Sequence, residues 1–189
     1  MDRIKTNKYK DVVTSGRVDI LRQIVQNRRY LRDINPVYST TSDFLTWTIE
    51  KGYSEAAKLV MAELLRRDPS IKLSGQYKMA VSTENLELVK LFLEVVQDKN
   101  PVNREGDADG LPSPLHLAAS KGNLEIVRAI LEKIEDKNPK DLNGRVTPLH
   151  MAASGAHVEV TKCIIEAGIE NKNPGLATNL ILIAFFVKL

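Results

Sequence analysis

The stretch Ser113–Val127 reads S-P-L-H-L-A-A-S-K-G-N-L-E-I-V, which places one histidine in a run of apolar and small residues. Nearly the same letters return 34 residues later, because P-L-H-L-A-A over 114–119 is echoed by P-L-H-M-A-A over 148–153. Self-similarity at a period of this size is the signature of repeat proteins. The sequence therefore predicts an array of similar structural units.

The letters that follow each copy extend the array toward the N-terminus. Segments that match G-N-L-E-I-V-R-A-I-L begin at Gly16, Gly52, Glu84, Gly122 and Ala156, with spacings of 36, 32, 38 and 34 residues. All five carry an acidic residue and, three positions later, a basic one. The pairs are Asp19–Arg22, Glu55–Lys58, Glu87–Lys90, Glu125–Arg128 and Glu159–Lys162. Residues three apart share a helix face, so we expect solvent-facing ion pairs on five equivalent helices.

Each unit is predicted to hold two short helices and a turn. Ser113-Pro114 and Thr147-Pro148 supply a hydroxyl N-cap followed by proline at the first helical position, where a missing N–H costs nothing. An Asx-x-Asn-Pro motif stops the helices, because a residue before proline favours extended backbone; it occupies 33–36, 98–101, 136–139 and 171–174. The predicted units span approximately 8–34, 42–72, 76–105, 107–140 and 141–173, within a single domain over 1–189.

These residues resemble the ankyrin repeat family. The family pattern D-x-x-G-x-T-P-L-H-x-A-A-x-x-G-H-x-E-I-V-x-x-L-L matches 107–131 and 141–165, whereas 8–97 match through the second helix, the spacing and the charges. The resemblance implies an all-α ankyrin-repeat solenoid of stacked helix-turn-helix units with hairpin-like loops. It also implies that His116 and His150 are structural and hydrogen-bond to backbone between units.

The resemblance further implies a non-catalytic protein-interaction scaffold or adaptor. Its binding surface would be the concave face formed by the hairpin tips and the first helices, and its partner another protein. The expected partner-binding residues are Asp107, Ala108, Asp109, Leu111, Leu142, Asn143 and Arg145 at the tips, with Ser120, Lys121 and Ser154 at the helix ends. We expect no small-molecule substrate and no cofactor.

Catalytic and metal chemistry have little support in the sequence. His116 and His150 would lie about 10 Å apart in adjacent layers, too far to share one zinc ion. The chain has no glycine-rich phosphate loop, G-x-S-x-G, H-E-x-x-H or C-x-x-C motif. The one cysteine, Cys163, reads as a small core residue. A single cysteine and an N-terminus without a signal-like apolar core favour a cytoplasmic or nuclear protein.

Two other function classes stay open. The chain could be the ankyrin segment of a larger channel, kinase or ubiquitin-ligase component. Alternatively, residues 1–32, with nine Lys or Arg against three Asp, could bind nucleic acid or acidic lipid electrostatically; the low aromatic content argues against nucleic acid.

Three segments raise narrower questions. Asn138 resembles the asparagine that an asparaginyl hydroxylase modifies in ankyrin hairpins, although a turn residue is the simpler interpretation. Phe44 and Trp47 are expected where later units have small alanines, and either fill a gap between layers or enlarge the binding face. Residues 174–189 read as a divergent half-repeat that covers the last unit, an aberrant terminus, or, through the apolar run 180–187, a peripheral membrane contact; that run is too short to span a bilayer.

Overall fold

The computed structural model describes residues 17, 19–20, 22–23, 41–101, 112–137, 139 and 146–167. These residues form successive pairs of α-helices, and no strand occurs among them. The bounds are α1 Thr41–Glu50, α2 Ser54–Arg67, α3 Ser74–Ser82, α4 Leu86–Val95, α5 Pro114–Lys121, α6 Leu124–Leu131, α7 Pro148–Ser154 and α8 Val158–Glu166. The predicted all-α helical repeat is confirmed. The chain divides into two compact units, Met1–Leu91 and Phe92–Leu189, and the boundaries given above for individual repeats stay predictions.

The N-terminus of α5 satisfies its free backbone donors in sequence order. Pro114 at the first position has no N–H, the Leu115 N–H donates to Asn100 Oδ1 at 2.9 Å, and the His116 N–H donates to Ser113 Oγ at 3.4 Å. The first turn of a helix otherwise leaves such donors without partners. Thr147 caps α7 in the same way. The predicted hydroxyl caps are confirmed.

The D-K-N-P motif joins one helix pair to the next. Its lysines close the preceding helix: Lys99 donates to a carbonyl just after α4, and Lys137 donates at 2.5 Å to carbonyls at and just after the end of α6. Asp98 Oδ1 accepts the N–H of Asn100 at 3.0 Å, which aims the asparagine side chain at Leu115. The motif therefore ends one helix and starts another, which is more than the predicted helix stop.

The turns inside the helix pairs share a left-handed residue. Positive φ angles occur at Gly52 (73°), Glu84 (57°), Gly122 (74°) and Ala156 (55°). These are four of the five positions at which the repeated ten-residue segment begins, so the sequence alignment marks the turn itself. Glycine adopts this backbone freely, whereas a residue with a Cβ is strained there by roughly 1–2 kcal/mol.

Ala156→Gly is expected to raise the free energy of unfolding by about 0.5–1 kcal/mol, because relief of the left-handed strain exceeds the extra entropy that glycine brings to the unfolded chain. Urea denaturation at pH 7 measures it. Ala167→Gly is the matched control, since Ala167 has right-handed backbone (φ −66°) at the end of α8. It should lower stability, and a gain at both positions would contradict the strain argument.

The helix pair α1–α2 aligns with the later repeats in a way that differs from the expectation for Phe44 and Trp47. Alignment of Gly52 with Gly122 puts Thr48 and Ile49, both buried, at the positions of Ala118 and Ala119. The prediction that Phe44 and Trp47 replace those alanines is therefore wrong.

Both aromatic residues lie beside that position on α1. Phe44 is buried and stacks on Trp47 with 5.5 Å between ring centroids. Trp47 is half-buried, and its ring centroid lies 5.6 Å from that of Tyr53. Phe44 is therefore part of the core of this helix pair, whereas part of the Trp47 ring stays at the surface.

The predicted ion pairs on the second helices are confirmed at two sites, since Lys58 contacts Glu55 at 2.7 Å and Lys162 lies 3.7 Å from Glu159. Lys58 also reaches Glu87 of the next helix pair at 2.5 Å, a contact that the local spacing did not predict. Asp19 differs from the expectation, because it pairs with Arg17 at 3.0 Å. A side chain two residues earlier can compete for the same carboxylate.

A second ion cluster on α2 should make stability depend on pH. Glu63 accepts hydrogen bonds from Arg66 and Arg67 at 2.7–2.9 Å. These bonds, chiefly the one from Arg66, lower the pKa of the Glu63 carboxyl group from 4.5 to about 2. Such a carboxylate stabilises the fold fully above its unfolded pKa, and the contribution is lost as pH falls toward the folded pKa.

Glu63→Gln should therefore lower the free energy of unfolding at pH 7 by about 1 kcal/mol, a modest value because Arg66 is exposed to solvent. The difference from wild type should shrink between pH 4.5 and pH 2. Urea denaturation across that range measures it, with Glu132→Gln at an exposed position as the control. A difference independent of pH would contradict this assignment.

Candidate protein-interaction surface

Helix α5 buries one side and opens the other. Leu115, His116, Ala118 and Ala119 are buried, whereas Leu117 is half-buried and Ser120 and Lys121 are exposed. Positions 117, 120 and 121 are three and four residues apart, which puts them on one helix face. The sequence of α5 therefore leaves a single open face.

Helix α7 repeats the pattern and packs against α5. Its half-buried Met151 stands at the position of Leu117, and its exposed Ser154 stands at the position of Ser120. We refer to Leu117, Ser120, Lys121, Met151 and Ser154 together as the Leu117/Met151 surface. It combines an apolar row, a parallel row of hydroxyl groups and one cation.

Sequence reasoning found part of this surface. Ser120, Lys121 and Ser154, predicted as partner-binding residues, are all exposed, although their contact with a partner stays a prediction. It missed Leu117 and Met151, because apolar residues inside P-L-H-x-A-A read as core. The available signal was their helical phase, which sets them three residues before the exposed serines.

His116 is buried beneath the Leu117/Met151 surface and links one helix pair to the next through a hydrogen bond. It is fully buried; its Nε2 lies 3.2 Å from the Val146 carbonyl and its Nδ1 lies 2.7 Å from Ser113 Oγ. A carbonyl oxygen can only accept, so Nε2 carries the hydrogen and Nδ1 accepts from the serine hydroxyl. The predicted structural role of His116, a bond to backbone between units, is confirmed. His150 repeats the local contact, with Nδ1 2.8 Å from Thr147 Oγ1.

His157 holds the turn between α7 and α8 against the end of α5. Its Nε2 donates to the Ser120 carbonyl at 2.9 Å. The ring lies against two glycines, since a Cβ on Gly122 or on Gly155 would come within 2.3 or 2.6 Å of it. This packing fixes the backbone beneath the exposed Ser120 side chain.

Groups for catalysis or metal binding are sparse here. Among the residues that the structure describes, no cluster of His, Cys, Asp and Glu could hold a metal ion. Cys163 is a free thiol and half-buried, so its prediction as a core residue is wrong. The reason is helical phase: Val160, Thr161 and Ile164 form the buried side of α8, and position 163 lies at its edge.

The predicted hairpin tips lie outside the described residues. This applies to Asp107, Ala108, Asp109, Leu111, Leu142, Asn143 and Arg145, as well as to Asn138 and the apolar run 180–187. Most of the basic segment 1–32 lies outside them as well. Within the described helices, none has both the length and the apolar character that crossing a membrane requires.

The described residues form an all-α repeat protein. Its helix pairs contain left-handed turns, Ser or Thr caps that precede a proline, and a histidine that hydrogen-bonds to the next pair. A family model of ankyrin repeats matches residues 78–174 in three copies, slightly more than half of the chain. The chain belongs to the ankyrin repeat family, whose repeats are generally protein-interaction modules. No curated protein matches the sequence.

Proposed function

We propose that the protein is a non-catalytic interaction scaffold that binds another protein through the Leu117/Met151 surface and the hairpin tips that precede α5 and α7. The observation that carries the proposal is the open face of these two helices. The capping residues Ser113 and Thr147 and the linking residue His116 are buried, while the side chains of the Leu117/Met151 surface are half-buried or exposed. The proposed setting is the cytoplasm or nucleus, supported by the single cysteine.

The composition of the surface supports this function. A few apolar side chains surrounded by polar groups form the usual core and rim of a protein interface. Leu117 and Met151 supply the apolar core here, and Ser120, Lys121 and Ser154 supply the rim. The tip residues Asp107, Ala108, Asp109, Leu111, Leu142, Asn143 and Arg145 belong to the same proposal through their place just upstream of α5 and α7.

The test is a pair of matched double variants. Leu117→Ser with Met151→Ser removes the apolar row, and Leu124→Ser with Ile165→Ser removes equally half-buried apolar side chains from the second helices α6 and α8. We expect the first variant to lose partner binding at least about tenfold, since central apolar anchors cost more than 1 kcal/mol each when truncated.

Quantitative mass spectrometry of proteins captured by each variant from cell extract, followed by titration of the purified partner, gives the comparison. The melting temperatures of both variants should fall by similar amounts. Equal binding losses in the two variants would mean that the surface has been misplaced.

Asn138 remains a proposed hydroxylation site on a separate argument. Asp136 stands two residues before Asn138, as at the sites that an asparaginyl hydroxylase modifies in ankyrin hairpins. Peptide mass analysis of the native protein tests the idea. The absence of an added oxygen on the peptide that contains Asn138 would reject it.

A further inference from the structure

We propose that Ser70, in the turn between α2 and α3, is a phosphorylation site for a protein kinase that selects arginine on the N-terminal side of its target. The phosphate opens this turn and loosens the connection between the helix pairs α1–α2 and α3–α4. The site shares no residue with the Leu117/Met151 surface, so the inference does not depend on the proposed function. Exposure, flanking charge and the hydrogen bonds of the turn support it.

Ser70 lies in a short turn that is open to solvent. Helix α2 ends at Arg67, and Arg66, Asp68 and Pro69 are exposed together with Arg67 and Ser70. A kinase reaches a residue in such a turn without unwinding a helix. The exposed hydroxyl residues in the part of the chain that the structure describes are Ser70, Thr83, Ser120 and Ser154, of which Ser120 and Ser154 lie within helices and Thr83 ends one.

The charge around Ser70 distinguishes it from those other hydroxyl residues. Arg67 and Arg66 stand three and four positions before it, and Lys72 stands two positions after it. A kinase with acidic side chains in its peptide groove selects its target by this pattern, because complementary charge favours one partner and disfavours the rest. At the position three residues before Thr83, Ser120 and Ser154, the chain has Ala80, Leu117 and Met151.

The two arginines are held by an ion cluster from which a kinase can take them. Both donate to the carboxylate of Glu63 at 2.7–2.9 Å, while the side chain of Arg66 is 68% exposed. Ion pairs that involve such an exposed side chain are weak and are screened by solvent. An acidic groove can therefore compete with Glu63 for these guanidinium groups.

Asp68 holds the turn through three hydrogen bonds. Its Oδ1 accepts the N–H of Ser70 at 2.9 Å and the hydroxyl of Ser70 at 2.6 Å, and its carbonyl accepts the N–H of Ile71 at 3.2 Å. Pro69 at the second position of the turn favours the same conformation. The hydroxyl bond is the main cause that holds the pKa of the Asp68 carboxyl below its ordinary value. The carboxylate is thus stabilised by the very group that a kinase would modify.

Phosphorylation turns this donor into a repelling group. The Ser70 oxygen attacks the terminal phosphorus of a nucleoside triphosphate, the bond to the diphosphate leaving group breaks, and the hydroxyl proton passes to a base of the kinase. Asp68 then loses a hydrogen bond and faces a phosphate with a charge of about −1.5 to −2. The phosphate also stands just after the negative C-terminal end of α2. Both effects favour the open turn.

Incubation of the full chain with ATP and an arginine-directed protein kinase, followed by peptide mass mapping, tests the site. We expect phosphate on Ser70 and none on Thr83, Ser120 or Ser154, and Ser70→Ala should abolish labelling of the turn peptide. Arg66→Gln/Arg67→Gln should lower the initial rate at Ser70 at least about tenfold. Glu63→Gln is the matched control, because it breaks the same ion cluster but keeps both arginines, so its rate should equal or exceed that of the wild type.

Amide hydrogen exchange of the purified phosphorylated chain measures the effect on the turn. The amides of Ser70 and Ile71 should exchange faster than in the unmodified chain, while the amide of Val60, inside α2, should not change. Unaltered exchange at both turn amides would refute the opening of the turn. Phosphate that reaches Ser70 only after the chain is unfolded in urea, or equal rate losses for the arginine and Glu63 variants, would refute the site itself.

Discussion

Gly122→Ala is expected to lower the free energy of unfolding by about 2–3 kcal/mol. Gly122 has a φ of 74°, where any Cβ is strained by roughly 1–2 kcal/mol. In addition, the new Cβ would stand 2.3 Å from Nδ1 of His157. The imidazole must then swing away and give up its bond to the Ser120 carbonyl, which costs about 1 kcal/mol more. Urea denaturation at pH 7 measures the sum.

Two matched variants separate the contributions. Gly52→Ala makes the same change at the equivalent turn, where φ is 73° and nothing lies within 4 Å of the added Cβ; it should cost about 1 kcal/mol, the backbone strain alone. In a His157→Ala background, Gly122→Ala should fall to a similar cost. Equal costs for Gly122→Ala and Gly52→Ala in the wild-type background would show that the imidazole adjusts freely.

The local features of the fold could be predicted because their causes lie within a few residues. Ser113 caps α5 by accepting a hydrogen bond from the backbone N–H of His116, and the sequence Ser-Pro predicts this cap. The structure places left-handed turns at the starts of the repeated segment, even where Glu84 or Ala156 replaces glycine. Periodicity therefore marks these positions better than residue type does, since neither glutamate nor alanine suggests a turn of this kind.

The features that were missed depend on partners distant in sequence. Asn100 caps a helix that begins fourteen residues later, and no local pattern distinguishes it from an ordinary turn asparagine. Lys78 is 1% exposed at the position that His116 fills in a later repeat, although lysine is almost never fully buried unless it is paired. The apolar part of the open face of α5 and α7 was also missed, because apolar type alone does not tell whether Leu117 or Leu115 points inward.

His116→Ala should cost about 3 kcal/mol of the free energy of unfolding. The imidazole is fully buried and joins Ser113 on its own helix to the Val146 backbone of the next helix pair. Truncation removes both hydrogen bonds and leaves a cavity, two losses that add in a buried site. Urea denaturation at pH 7 gives the value, and the loss of the bond to Val146 should also speed amide hydrogen exchange in the first turn of α7.

His150→Ala and His116→Leu identify the cause of that cost. His150 makes the same local contact but is half-buried, so its truncation should cost only about 1 kcal/mol. Leucine at position 116 restores apolar volume without a donor, so it should recover the cavity part and leave the first turn of α7 open to exchange. If leucine restored both stability and protection, packing alone would explain the buried histidine, and the hydrogen bond to Val146 would not be what joins the two helix pairs.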